Sequence, residues 1–200
     1  MSKRAVLAAV AVAAFLGAGA PSVTTFKDSR DGKVYKIVTI GKQVWMEENL
    51  NYDVPDDTTD ACYNNNAGNC AKYGRLYNWF AANNACPAGF HLPTDKEWTA
   101  LTDYAGGGKK AGTKLKSSTG WKSSNRAPAG TDKYGFSVLP GGYRNSDGSF
   151  YDAGLNGYYW GAKEYDADLA WYRYLSYESE HVDNYYGYKA YLGSVRCVQD

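Results

Sequence analysis

The stretch CPAGFHLPTDKEW, residues 86–98, constrains the fold more than any other part of this sequence. Thr94 and Glu97 stand at the spacing of a capping box, in which the threonine side chain accepts from the Glu97 N–H while the glutamate reaches back to the threonine backbone. That spacing predicts a helix beginning at Asp95. Trp98, Leu101 and Ala105 then recur on one face, and Gly106, Gly107 and Gly108 end the pattern where a left-handed residue is needed. A helix this short and amphipathic must dock on something larger. Cys86 opens the stretch, and Cys197, in the strand-like run SVRC (194–197), supplies a second half-cystine able to close the domain back onto it.

Upstream, the alternating, β-branched run VYKIVTI (34–40) predicts a strand that turns at Gly41-Lys42 into residues 43–46. Residues 23–33 read as a short connection, 53–60 as an acidic loop and 64–69 as a polar tip between Cys62 and Cys70. RLYNWFAANN (75–84) fits a first helix. From the second helix to Tyr134 the chain is rich in Gly, Ser, Lys and Thr, which predicts loop, with Trp121 isolated in it. From Phe136 onward the pattern is β, with a hairpin at 145–148. In LAWYRYLSY (169–177) both faces carry aromatics, so this strand is expected to be central. Two short helices followed by a run of strands predict an α+β fold, a single domain over residues 34–200 with a twisted antiparallel sheet.

Residues 1–22 read as a signal peptide: Lys3 and Arg4 precede an apolar run, residues 5–16, too short to span a bilayer comfortably. Cleavage is expected after Ala20 or after Ser22, which implies a secreted or cell-surface protein with no membrane span in the mature chain. The chain has 22 basic and 21 acidic residues, and loss of the leader leaves 20 against 21, a formal charge of −1. Nucleic acid is a poor partner for such a chain, because phosphate neutralisation needs a basic stripe. Four cysteines in an exported protein read as two disulfides; of the three possible pairings, Cys62 with Cys70 and Cys86 with Cys197 is the expected one. Their spacing lacks the short paired repeats of structural zinc sites.

Several segments carry a resemblance. HLPTDKEW is similar to the helix start of the formylglycine-generating-enzyme fold and GSVRCV to its closing strand, a layout shared with C-type-lectin-like domains. Taken with IGKQVWMEENLNY, CYNNNAGNCAKYGRLYNWFAA, YGFSVLPGGYR and AWYRYLSY, in that order, they resemble the Fibrobacter succinogenes major paralogous domain. The resemblance runs from about Lys27 onward. It implies an exported, disulfide-closed, C-type-lectin-like domain without a settled chemistry.

Catalytic signals are sparse. The copper-binding cysteine pair of the formylglycine-generating enzyme has no counterpart, since residues 169–197 contain Cys197 alone. His91 lies inside the helix-start motif, and His181, near Glu178, Glu180 and Asp183, is the one weak acid–base or metal cluster. The three glycines after the second helix are a C-cap rather than a phosphate cradle. No enzyme activity, metal or cofactor is therefore expected. Calcium-dependent sugar binding of the lectin type is not indicated, because its Glu-Pro-Asn, Gln-Pro-Asp and Trp-Asn-Asp tripeptides are missing; hard oxygen ligands elsewhere leave a structural calcium open.

What the sequence does offer is aromatics: nineteen tyrosines and six tryptophans, too many for one core. Trp45, Trp79, Trp98, Trp160, Trp171, Tyr172 and Tyr174 sit on strand or helix patterns and are expected in the core. Trp121, Tyr143, Tyr151, Tyr185, Tyr186 and Tyr188 stand among Gly, Asn, Ser and Asp and are expected in loops as ligand contacts, with Asp183 and Asn184 at the hydroxyl edge of the ligand. The expected partner is an extracellular glycan bound without calcium, as in adhesion. The alternative is an envelope protein bound by a structural module with no glycan ligand.

Overall fold

The computed structural model describes residues 24–56 and 59–200; the leader expected over 1–22 lies outside the described residues. Thr24–Lys27 (β1), Val34–Ile40 (β2) and Gln43–Met46 (β3) make an antiparallel ladder. The turn between β2 and β3 uses Gly41 at φ 64°, a left-handed conformation that glycine adopts without steric cost. Asp60–Ala61 (β4), Ala67–Tyr73 (α1), Leu76–Tyr77 (β5) and Trp79–Ala85 (α2) follow. Then come Phe90–His91 (β6), Asp95–Tyr104 (α3), Ala111–Leu115 (α4), Tyr143–Arg144 (β7) and Phe150–Tyr151 (β8). Asn156–Glu164 (β9), Leu169–Ser176 (β10), Asp183–Tyr188 (β11), Gly193–Ser194 (β12) and Val198–Gln199 (β13) complete the chain.

These elements form an α+β fold. One sheet has the order β1-β2-β3-β13-β6 and the other β11-β10-β9-β12-β5-β4, while β7 and β8 stand apart as a hairpin. All pairs are antiparallel except β12 with β9. The expected central position of LAWYRYLSY is borne out, with β10 between β9 and β11. Both expected disulfides are present, Cys62–Cys70 and Cys86–Cys197.

Among the described residues four α-helices form where two were expected. α3 begins at Asp95 with the full capping box, as its sequence demands. The predicted first helix is shorter than RLYNWFAANN: Leu76 and Tyr77 pair in β5, and α2 starts only after Asn78, whose side chain accepts from the Ala81 N–H at 2.8 Å. α1 replaces the end of the expected polar tip because Asn66 caps its start and the helix buries Cys70 and Tyr73. α4 interrupts the expected loop by burying Ala111 and Leu115. β1, read as part of a connection, is a strand because Phe26 packs on Phe90, ring centroids 4.8 Å apart.

Strand alternation sorts the aromatics into two cores on opposite faces. Met46, Tyr77, Trp79, Trp160, Val195 and Cys197 belong to one. Trp45, Trp98, Phe136, Tyr159, Leu175 and Val198 belong to the other. Neighbours in sequence such as Trp45 and Met46, or Tyr159 and Trp160, therefore report on different cores. Trp171, expected in a core, is only half-buried, packed against Tyr165 and Tyr186.

Between the cores lies Arg196, fully buried. Its guanidinium donates to Asn49 Oδ1 and to the carbonyls of Met46, Glu47, Phe136 and Ser137. Phe136 lies beneath it, 4.8 Å from Cζ to the ring centroid. Burial lowers its pKa, with Tyr159, Asp132 and Glu48 acting in the opposite sense.

His91 joins the end of the chain's last strand to the start of α3. Its Nδ1 is 2.7 Å from Asp200 Oδ1 and its Nε2 is 2.7 Å from Glu97 Oε1. Burial alone would lower its pKa, but the hydrogen bonds and charges of Asp200 and Glu97 prevail and raise it. A histidine whose folded pKa exceeds its unfolded value contributes stability that is complete below the unfolded value, about 6.5, and is lost as pH rises through the folded one. The melting temperature should therefore fall as the solution is taken from about pH 6 to pH 9, and His91→Gln should flatten that slope. With the imidazole 36% exposed, solvent screening limits the difference to about 1–3 °C in a thermal scan. An unchanged slope in the variant would show that the clamp contributes nothing.

Candidate functional site

The tyrosine-rich strands build a continuous aromatic face. In β9 and β10 the register sets Tyr158 opposite Tyr174 and Trp160 opposite Tyr172, and in β11 it sets Tyr185 opposite Tyr172. Side chains directly across antiparallel strands lie close enough to touch, which is why rings gather here. Tyr158 lies 5.6 Å from Tyr172 and 5.2 Å from Tyr174, and Trp160 meets Tyr172 edge-on at 5.9 Å. The Trp160 indole N–H donates inward to the Tyr77 carbonyl at 2.8 Å, so its polar atom is satisfied.

The β7–β8 hairpin walls this face. Gly142, at φ 65°, approaches the hairpin's far strand so closely that a Cβ would stand 2.2 Å from the Tyr151 carbonyl oxygen; no other residue fits. Reciprocal backbone bonds between Arg144 and Leu192 hold the hairpin in place. Tyr143 thereby comes within 4.9 Å of Tyr158 and 5.9 Å of Tyr191, with Tyr151 stacked on its other side at 5.5 Å. Between these rings opens a cleft of about 200 Å³, bounded by Tyr143, Tyr158, Trp160, Tyr172 and Tyr191. Gly187 keeps it open: a Cβ there would lie 3.1 Å from the Tyr172 ring.

Three phenols of this cleft, Tyr158, Tyr172 and Tyr143, hold their protons more tightly than free tyrosine. Burial, then the hydrogen bond from Tyr158 to Asp152 and the charge of that carboxylate, raise the Tyr158 pKa far above that of free tyrosine. Burial and the neighbouring phenols Tyr174 and Tyr185 push Tyr172 up to about 12. Tyr143 is raised by burial and by Asp152. The rings thus offer flat apolar faces with hydroxyl donors and acceptors at the edges.

Of the residues singled out from sequence, Tyr143 walls the cleft and Tyr151 supports it. Tyr186 borders the cleft, but its ring turns to the other face and stacks on Tyr165, centroids 4.2 Å apart and 13° from parallel. Tyr185 lies on the cleft's own face, edge-on to Tyr174, and Tyr188 packs on Tyr191 at 5.4 Å. These five tyrosines lie in strands β7, β8 and β11 rather than in loops, because cross-strand ring contacts outweigh the local turn-forming composition. Asn184 accepts from Arg173 on the opposite face, and Asp183 faces His181 at 3.5 Å; neither borders the cleft. Trp121 is remote, donating its indole N–H to the Val138 carbonyl at 3.0 Å and lining a separate hollow with Lys116, Lys122 and Tyr177.

Sequence reasoning assigned Trp160 and Tyr172 to the core and passed over Tyr158, Gly187 and Tyr191. The signal was present in the shared alternation of YYW and WYRY, which stacks their rings once the strands pair. The acidic residues near His181 disperse: Glu178 pairs with Arg126 at 3.1 Å and Glu180 accepts from Thr113 at 3.3 Å. Among the described residues no group of three or more His, Cys, Asp or Glu could hold a metal ion. Among them, too, no helix is long and apolar enough to cross a membrane.

A family model described as the Fibrobacter succinogenes major domain matches residues 38–199 of the chain. No curated protein and no solved structure matches it.

Proposed function

Because the chain belongs to the Fibrobacter succinogenes major domain family, we propose that it is an exported, non-catalytic binding module whose aromatic cleft takes a ring of an extracellular glycan, without calcium. The carrying observation is the cleft itself, five rings around the gap left by Gly187. Sugar rings have an apolar C–H face that lies on an aromatic ring, while phenol hydroxyls meet the polar edge. The raised pKa of the Tyr158, Tyr172 and Tyr143 phenols suits binding better than proton transfer. The sequence of residues 1–22 supports export to the cell surface or medium, where adhesion is the role for such a module. A capping-box helix start, an early strand pair joined by β13 in one sheet, and the bridge from Cys86 to Cys197 support kinship with C-type-lectin-like domains.

A site this small is expected to bind weakly and to act through many copies on a surface. Gly187→Val should abolish retention on an insoluble polysaccharide, at least about a tenfold loss, because the new side chain drives into Tyr172. Its melting temperature should stay within a few degrees, since valine suits a strand. Tyr172→Ala should weaken binding similarly. A panel of plant and microbial polysaccharides, screened with and without a chelator, supplies the ligand. A Gly187→Val protein that binds as well as wild type would remove the cleft from the reading.

One observation favours a second reading, a protein-binding module of the cell envelope. β11 ends its sheet, and Tyr185 and Tyr188 on it are more than half exposed, so its backbone edge is accessible to a partner strand. Failure of the wild-type chain to bind any glycan would leave that reading in place.

A further inference from the structure

None of the side chains lining the aromatic cleft is charged, yet a carboxylate stands behind it. Asp152, between β8 and β9, accepts from Tyr158 Oη at 2.5 Å and from Asn156 Nδ2 at 3.0 Å. Both donors are neutral. Among the described residues Asp152 enters no ion pair. The cations on surrounding elements are engaged or directed elsewhere. Arg144 alternates away from Tyr143 in β7 and borders a different hollow with Arg75, Asp53 and Asp60. Lys189 is held by the carbonyls of Asp166 and Ala167 and by Glu164, and Arg173 pairs with Asp95.

The negative charge reaches the rings. After burial, Asp152 contributes to the raised pKa of Tyr158, Tyr143 and Tyr174. Aromatic faces carry the negative lobe of the ring quadrupole, so an ammonium group over them is attracted, and more strongly where water is excluded. A phenol that donates to a carboxylate is polarised further in the same sense. The cleft therefore favours a cation and disfavours an acid. At about 200 Å³ it is smaller than the roughly 300 Å³ at which pockets for drug-sized ligands begin, which suits a single ring.

We propose that the ring taken by this cleft is a protonated amino sugar, its C–H face on the aromatic rings and its ammonium group directed to the Tyr158–Asp152 wall. This rests on the glycan reading above and names the class of glycan. Calorimetric titration of the full chain at about pH 6, where the amine is protonated, compares three probes: a β-1,4-linked glucosamine tetrasaccharide, its N-acetylated counterpart and a galacturonic acid tetrasaccharide. The glucosamine probe should bind about tenfold more tightly than the acetylated one, with the acidic probe weakest. The preference should shrink between about 0.05 M and 0.3 M salt.

Asp152→Asn should bring the two affinities close to equality. Asparagine tolerates the positive φ of 70° at this position, and a thermal scan confirms that the variant folds. Equal or tighter binding of the acetylated or acidic probe by wild type would overturn the amino-sugar assignment and leave glycan binding standing. So would a preference that survives in Asp152→Asn. Binding of none of the three, nor of any neutral polysaccharide in the wider panel, would overturn the glycan reading itself. Tight binding of a lysine-rich peptide in place of the glucosamine probe would assign the ammonium site to a protein partner and overturn the sugar.

Discussion

Replacing Cys86 and Cys197 together by alanine should lower the unfolding free energy by about 4–5 kcal/mol in urea titrations. The bridge spans 111 positions in sequence, and the entropy removed from the unfolded chain grows with the length of the loop it closes. It also ties the end of α2 to the segment between β12 and β13, so it fixes the strand that joins β3 to β6. The bridge from Cys62 to Cys70 spans 8 positions, and its removal should cost only about 2–3 kcal/mol. The order of the two losses is the test. A greater loss from the short bridge would show that loop closure is not what the long one contributes.

Arg196→Met should cost about 3–5 kcal/mol, measured by the same titration. Exchanging a buried charge for an apolar side chain is often harmless when the partner is exchanged as well. Here four of the partners are backbone carbonyls, of Met46, Glu47, Phe136 and Ser137, and no substitution removes them. Each would lose its donor, and the bonds to Met46 and Phe136 are buried where water does not readily replace it. Arg196→Lys should recover only part of the loss, because an ammonium has three donors and lacks the planar fork that reaches Asn49 and the carbonyls at once. A methionine variant as stable as wild type would mean that water or a shifted backbone satisfies those oxygens.

The parts of the fold written in local chemistry were legible in the sequence. Thr94 and Glu97 announce α3, the alternation of VYKIVTI announces β2, and the 145–148 turn announces the β7–β8 hairpin. The disulfides were legible because four cysteines have only three pairings to choose among. What escaped were elements stabilised by contacts distant in sequence: β1, held by Phe26 on Phe90, and α4, held by burial of Ala111 and Leu115. The candidate site was half legible for the same reason. Tyr143 and the β11 tyrosines stand out by composition, but Tyr158, Trp160 and Tyr172 become cleft walls only once β9, β10 and β11 pair in one register. Nothing local distinguishes a ring that floors a cleft from one that fills a core. Trp121 shows the converse, since its polar surroundings suggest exposure while Val138 takes its N–H.

The two cores on opposite faces of shared strands limit where this chain can change in length. A one-residue insertion within β3 or β9 would send Trp45 and Met46, or Tyr159 and Trp160, each into the other's core. The β7–β8 hairpin and the outer strand β11 are under no such constraint, since neither supplies the paired-face residues of both cores. Sequences of this architecture can therefore vary in length where the hairpin and β11 border the cleft while the register of β9 and β10 beneath stays locked, which makes the scaffold suited to carrying different binding specificities on one unchanging frame.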